Sequence, residues 1–286
     1  MIIQQAFIQL ISQLGAHYDD REARNIAEIL FEDLLKIKRF QSLESLSEKQ
    51  EEELEIATQA LLAHKPIQYI TGISHFYGYE FMVNRNVLIP RPETEELVFL
   101  ALESLKKKNA KARVLDIGTG SGCIPISLKK QMPYLEVEAL DISKDALSLA
   151  KANAERLQTK IVFHQLDFLN PIEWLRLGSY DYILSNPPYI PLAEKNLMEA
   201  NVIDYEPHLA LFVENNEPLI FYDKIASFAH QHLNANGYIF LEVNQYNALQ
   251  VKQSYINSGF IEVELIKDMS GNDRIVKAKK GPGSIQ

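Results

Sequence analysis

The chain is poor in cysteine, with one, Cys123, among 286 residues. A single thiol excludes an internal disulfide and fits a reducing compartment. Cys123 has no basic neighbour to make it a thiolate, so it reads as a small packed residue. Long apolar runs are missing too: none approaches the roughly 20 residues needed to span a bilayer. Met1 to Gly15 is amphipathic, but lacks both the basic start and cleavage site of a secretory signal and the arginines of a mitochondrial presequence. A cytoplasmic protein without membrane association is expected. Basic charge is scarce: 29 Lys and Arg stand against 38 Asp and Glu, a net charge of −9. Residues 1–75 already hold 12 acidic and 7 basic side chains, so neither part of the chain is cationic. Non-specific nucleic-acid affinity rests on such charge, and no direct nucleic-acid partner is expected. The seven histidines show no metal-ligand spacing with acids or the cysteine, and no Ser–His–Asp set is apparent. No metal is expected.

What is present falls into two parts. Ile2 to Leu14 and Asp19 to Lys38 have apolar residues at helical spacing. Ser47-Glu48-Lys49-Gln50 reads as a capping box opening a helix to about Ala63. These make a small strand-free bundle that ends before Pro66. The acidic run Glu51-Glu52-Glu53-Leu54-Glu55 suits a solvated helix face or a surface for a basic partner. Phe76 to Val87 suggests a short hairpin. From about Ile89 helices alternate with seven predicted strands: Ala112–Ile117, Glu136–Leu140, Lys160–His164, Tyr180–Ser185, Gly237–Val243, Phe260–Ile266 and Arg274–Ala278. The last two are joined by a loop rather than a helix, and the whole is an α/β pattern. Domain bounds are set at residues 1–73 for the bundle, 74–90 for a hairpin linker and 91–286 for the α/β part. Gly281 to Ser284 reads as a floppy tail.

Three strand ends carry chemistry. The first ends in Asp116-Ile117-Gly118-Thr119-Gly120-Ser121-Gly122 and leads into a helix. Residue 123 is not glycine, so the dinucleotide pattern is not met, and no Gly-Lys-Ser/Thr follows. What remains is a strand, a tight turn and a helix, in which small residues let a ligand approach the backbone; the glycines alone would also fit a mere turn. Asp141 ends the second strand, where an acid can accept both hydroxyls of a ribose. Asp167 and Phe168 follow the third and can bracket an adenine. Amino-acid, ribose and base contacts without a phosphate-binding element point to S-adenosyl-L-methionine. The strand Tyr180 to Ser185 then runs into Asn186-Pro187-Pro188-Tyr189. Asparagine offers an acceptor and donors. The prolines have fixed φ and no N–H, which leaves rigidly aimed carbonyls. Tyrosine adds a face that can stack on a planar group. Together they suit a planar –C(–X)–NH₂ group.

On these motifs the chain resembles the class I S-adenosylmethionine methyltransferases, and within them the protein-(glutamine-N5) methyltransferases that modify peptide-chain release factors. The resemblance also rests on Pro66-Ile67-Gln68-Tyr69-Ile70-Thr71-Gly72, Phe76-Tyr77-Gly78 and Val87-Leu88-Ile89-Pro90-Arg91-Pro92-Glu93-Thr94-Glu95. Tyr205-Glu206-Pro207 with Ala210-Leu211, and Asp268 to Arg274, are similar to the family as well. Two departures stand out: Leu241-Glu242-Val243-Asn244 lacks a frequent glycine, and Phe168 stands where relatives often carry Trp. The resemblance implies a seven-stranded, mostly parallel sheet with helices on both faces, preceded by a helical bundle that docks the substrate. It implies S-adenosylmethionine as cofactor, class I release factors as partners and methylation of the glutamine of a Gly-Gly-Gln motif, supporting translation termination. A monomer is expected. Asn186, Pro187, Pro188 and Tyr189 are the expected catalytic group. Asp116, Gly118, Thr119, Gly120, Ser121, Gly122, Asp141, Asp167, Phe168 and Asn186 are the expected cofactor contacts. Arg91 and Glu93 either border the cleft or form a structural salt bridge. Two rivals remain: an adenine-N6 DNA methyltransferase, since the tetrad also suits an exocyclic amine, and a non-catalytic binding module.

Overall fold

Apolar residues three and four apart set the first element, α1 (Ile3–Leu14), which buries Ile3, Ala6, Phe7, Leu10 and Leu14 along one stripe. This computed structural model describes residues 1–108, 111–197 and 200–282. Gly283 and Ser284 of the expected tail lie outside the described residues. α2 (Asp20–Ile29) starts where the Asp19 side chain accepts from Glu22 N at 2.8 Å. The sequence predicts this helix to Lys38, but regular α-helical bonding stops at Ile29 and widens into a π-type turn over Leu30–Leu34. Lys36 then adopts a left-handed φ of 59°. The wider turn buries Leu30 and Phe31 together and sets the Phe31 ring 5.3 Å from that of Phe7. α3 (Glu48–Leu62) opens with the expected capping box of Ser47 and Gln50.

Two corrections concern the end of the bundle. Pro66 does not close it but caps a further short helix, α4 (Ile67–Thr71), which ends at Gly72 with φ 72°. Nor is the bundle wholly without strand pairing, since Ile2 bridges Ser45. The hairpin also lies earlier than predicted: β1 (Ile73–Phe76) pairs with β2 (Tyr79–Met82). Its turn, Tyr77-Gly78, has positive φ at both residues, the geometry whose twist matches a two-residue hairpin.

The rest of the chain alternates as expected. In order come α5 (Pro92–Lys108), β3 (Arg113–Ile117), α6 (Cys123–Gln131), β4 (Glu136–Asp141), α7 (Lys144–Arg156), β5 (Val162–Gln165) and β6 (Tyr180–Ser185). After β6 come the two-residue strands β7 (Ile190–Pro191) and β8 (Phe212–Val213), with α8 (Ala200–Tyr205) and α9 (His208–Leu211) between them. α10 (Ile220–His232), β9 (Leu233–Glu242), α11 (Ala248–Asn257), β10 (Ile261–Lys267) and β11 (Asp273–Lys279) complete it. The seven predicted strands form one sheet in the order β10-β11-β9-β6-β3-β4-β5. β9, β6, β3, β4 and β5 are mutually parallel, and β11 is antiparallel to both its neighbours. Strand alternation divides the core. Leu115, Ile183 and Ile239 face one apolar layer with α10 and α11, while Val114, Tyr182 and Phe240 face the other with α5, α6 and the hairpin. Burial on both faces explains why these strands read as short continuous apolar runs. Among the described residues no helix is long and apolar enough to cross a membrane.

Candidate functional site

Register brings the strand ends level. Ile117 is paired with Leu140 and with Ser185, and Ser185 with Leu241. The residues that follow these four strands therefore emerge at one edge, on either side of the point where the strand order reverses, which is where ligands lie in open α/β sheets. The Ser185 hydroxyl pins the edge by donating to Ile117 O at 2.7 Å. A cavity of about 300 Å³ opens there, bordered by the glycine loop, the β4 and β5 ends and the tetrad after β6.

Gly118, Thr119, Gly120 and Ser121 line this cavity. Gly118 and Gly120 have φ of 74° and 53°, and a Cβ at either would meet no protein atom within 4 Å. Glycine there supplies the left-handed turn and leaves the wall unobstructed. Gly122 does another job and does not line the cavity: a Cβ there would stand 3.0 Å from Ile126 and 3.2 Å from Ala150, so it lets α6 start against α7. Asp141 lines the cavity and also shapes it, its two carboxylate oxygens accepting from Gly120 N and Ser143 N, each at 2.9 Å. Asp116 stands behind the loop, fully buried. Neither of its oxygens has a hydrogen-bond partner, nor do the buried hydroxyls of Thr119 and Ser121. Burial pushes the Asp116 carboxyl up to about 7, and the Asp141 charge adds to the rise; the Thr119 hydroxyl pulls the other way without reaching bonding geometry. Three buried polar groups without protein partners beside an open cavity mark a place for a polar ligand. Cys123 also lines the cavity, but burial pushes its thiol up to about 12 and keeps it unreactive.

Asp167 and Phe168 border the cavity beyond β5. Asp167 accepts from Leu169 N at 2.9 Å, which fixes the turn. The Phe168 ring is also part of the core, 5.5 Å from both Trp174 and Phe228, so it is held rigidly.

Asn186, Pro187 and Pro188 line the cavity on the β6 side, and Tyr189 does not. The Tyr189 ring is half-buried against the apolar layer of α10 and α11. Asn186 Nδ2 donates to Thr94 Oγ1 at 3.2 Å, and the Thr94 hydroxyl donates to Glu242 Oε2 at 2.6 Å.

Two polar clamps hold the walls of the site, the first marked by no motif and the second the salt bridge expected as one alternative for Arg91. Asn153, fully buried on α7, accepts from Met82 N at 2.7 Å and donates to Ser121 O at 2.9 Å, tying the glycine loop to the hairpin. Its one sequence signal is an amide on the apolar stripe of Ala146, Leu147, Ala150 and Ala154. Glu206, buried, pairs with Arg91 and accepts from Ile89 N at 3.3 Å. Arg91 both lines the cavity and makes a structural ion pair. Among the described residues no group of three or more His, Cys, Asp or Glu stands where it could hold a metal ion.

Comparison with known proteins finds relatives over nearly the full length of the chain. A family model described as "Methyltransferase small domain" matches residues 98–204, and one described as "PrmC N-terminal domain" matches residues 5–72. A release factor glutamine methyltransferase of Flavobacterium psychrophilum is 40% identical over 283 residues, 97% of this chain and 99% of that protein. One of Lactococcus lactis is 42% identical over 279 residues, 96% and 99% of the two chains. Among solved structures, a methyltransferase from Pyrococcus furiosus superposes with a TM-score of 0.51 at 18% identity, covering 79% of this chain and 99% of that one, a likeness of fold alone.

Proposed function

The chain belongs to the release factor glutamine methyltransferase family, and from that premise we propose how its own residues methylate the side-chain amide nitrogen of a glutamine in a peptide-chain release factor. One observation carries the reading: Asn186, at the end of β6, lines the same cavity as the glycine loop after β3 and the Asp141 carboxylate after β4. S-adenosylmethionine, when bound, supplies the activated methyl group. Asp141 would hold its ribose hydroxyls, and Asp167 and Phe168 would border its adenine. The unpartnered Thr119 and Ser121 hydroxyls, with the Asp116 carboxyl behind them, suit the polar ammonium and carboxylate of its amino-acid end.

An amide nitrogen is a poor nucleophile because its lone pair is delocalised into the carbonyl. Asn186 Oδ1 and the Pro187 carbonyl accept its two hydrogens and let it pyramidalise. Such fixed dipoles stabilise the positive charge that grows on nitrogen, and they need not reorganise as it forms. Holding the amide in one orientation supplies a further part of the barrier reduction. The nitrogen becomes acidic once alkylated, so the site needs no strong base. The glutamine belongs to the Gly-Gly-Gln motif, and the bundle of residues 1–73 offers the docking area that a protein substrate needs beyond one side chain.

The test is direct. The protein is incubated with methyl-labelled S-adenosylmethionine and either unmethylated release factor or unmethylated DNA, and the label is mapped by mass spectrometry. Label on the Gly-Gly-Gln glutamine is expected; label on adenine alone would overturn the reading.

A further inference from the structure

Asn186 is the outer end of a chain of three side chains whose other members come from distant elements. Thr94 sits in the first turn of α5 and Glu242 ends β9, and they are 3% and 2% exposed. The polarity of the chain is dictated by its inner end. A carboxylate accepts and cannot donate. At 2.6 Å from Glu242 Oε2, the one hydroxyl proton of Thr94 is therefore committed inward. Thr94 Oγ1 is left only as an acceptor, so Asn186 must turn Nδ2 towards it, as the 3.2 Å contact shows. That leaves Asn186 Oδ1 for the cavity.

We infer that Thr94 and Glu242 are positioning residues that set which way the Asn186 amide faces, with the negative charge of Glu242 fixing the direction. The inference rests on the reading of Asn186 as acceptor for the substrate amide. A neutral Glu242 can donate to Thr94, and Thr94 can then donate to Asn186 Oδ1. The amide is released to turn over and present Nδ2 to the cavity, where it would meet the N–H donors of the glutamine.

The charged and titratable groups facing Glu242 come from every side. Arg274 on β11 and Arg91 before α5 favour the carboxylate, and Glu93 opposes it. Tyr189 after β6 and the buried Cys123 on α6 feel its charge. Tyr222 on α10 donates to its main-chain oxygen at 3.1 Å. Burial dominates and pushes the Glu242 carboxyl up to about 7, against the Thr94 hydrogen bond and the Arg274 charge. The productive orientation is thus present above that pH and is lost as pH falls through it.

The experiment is single-turnover methylation of release factor at saturating S-adenosylmethionine from about pH 5.5 to 8.5, with calorimetric cofactor affinity and a melting curve for each variant. Saturation removes the contribution of Asp116, which titrates in the same range. The parent is expected to lose rate as pH falls below about 7. Thr94→Ser keeps the hydroxyl and should keep both rate and acid limb. Thr94→Val should slow the step about 10- to 100-fold, the scale for misplacing one preorganised dipole, with cofactor affinity within about twofold. Its residual rate should be flat across the acid limb, because the charge on Glu242 no longer reaches Asn186. Glu242→Gln should be flat in the same way; if it fails to fold, the two Thr94 variants decide. A Thr94→Val enzyme with parental rate, or a slow one that keeps the acid limb, overturns the inference. Asn186→Ala separates the two claims: if it turns over at the parental rate, the reading of Asn186 itself has failed.

Discussion

The Arg91 guanidinium is paired with the Glu206 carboxylate from 115 residues further along the chain. Each lies in a stretch that walls the cavity: Arg85 to Leu88, Pro90 and Arg91 on one side, Pro207, Leu209 and Ala210 on the other. Glu206 also accepts from Ile89 N at 3.3 Å, so one carboxylate holds the backbone and the side chain of the opposite wall. Next to it, Tyr205 Oη donates to Ala63 O of the bundle at 2.8 Å. Helical bundle, linker and the segment after the tetrad are thereby joined at the rim of the site.

Breaking this pair from the exposed end should be costly. The Glu206 side chain is 1% exposed and that of Arg91 is 35%. Arg91→Met would leave a buried carboxylate without its counter-charge, a loss of about 3 kcal/mol or more. The double variant Arg91→Met with Glu206→Gln should recover part of it, because no charge is then stranded. Urea unfolding of the three proteins checks this, and equal stability of the single and double variants would refute it.

Asp141 is expected to show two effects, because it both faces the cavity and holds the loop. Asp141→Ala should weaken S-adenosylmethionine by roughly 1.5–3 kcal/mol through loss of a charge-assisted acceptor. It should also lower the melting temperature without cofactor, since the amides of Gly120 and Ser143 lose their partner. Calorimetry and melting curves read the two separately. Unchanged cofactor affinity would remove the ribose assignment and leave a purely structural aspartate.

Asp116 makes the stability of the cofactor-free protein depend on pH. Its folded carboxyl is raised to about 7 by burial, well above the unfolded value of about 3.9. Between those values the folded state binds the extra proton. The contribution is full below about pH 4 and is lost as pH rises through about 7, on the order of 4 kcal/mol in all. Glu242 slopes the same way. Asp116→Asn should therefore flatten, without abolishing, the fall in unfolding free energy between about pH 5 and 7.5. Chemical denaturation at several pH values measures the slope, which is insensitive to any fixed cost of the buried amide. A slope identical to the parent would mean that Asp116 is solvated or partnered in solution.

Much of this was legible because strands buried on both faces write themselves as short apolar runs. The apolar run Tyr180–Ser185 coincides with β6 to the residue, and the strand ends bring Gly118, Asp141, Phe168 and Asn186 around one cavity. What was not legible depends on partners far along the chain. Asn153 meets Met82 across 71 residues, and Thr94 meets Glu242 across 148, and no local pattern marks either contact. Pro66 opens α4 rather than ending the bundle, because proline fits the start of a helix as readily as the end of one. The place of Tyr189 in the tetrad points it to the cavity, but the direction in which a chain leaves two prolines is set by what it packs against.

That placement of Tyr189 sharpens its test. The ring packs on the apolar layer under α10 and α11 rather than lining the cavity, so its first role is to anchor the Pro187-Pro188 backbone that does line it. Burial and the nearby Glu242 charge push the phenol up from its ordinary value. The hydroxyl therefore keeps its proton throughout the working range and cannot take one from the amide. Tyr189→Phe retains ring and packing and should be mild in single-turnover rate and in melting temperature. Tyr189→Ala should be severe in both, with a stability loss of about 3–5 kcal/mol for an aromatic removed from a packed position; partial exposure places it near the lower bound. Cofactor affinity should change little in either. If Phe slowed the reaction as much as Ala while keeping the parental melting temperature, the hydroxyl and not the ring would carry the role, and a proton-transfer or hydrogen-bonding function for Tyr189 would replace the anchoring one.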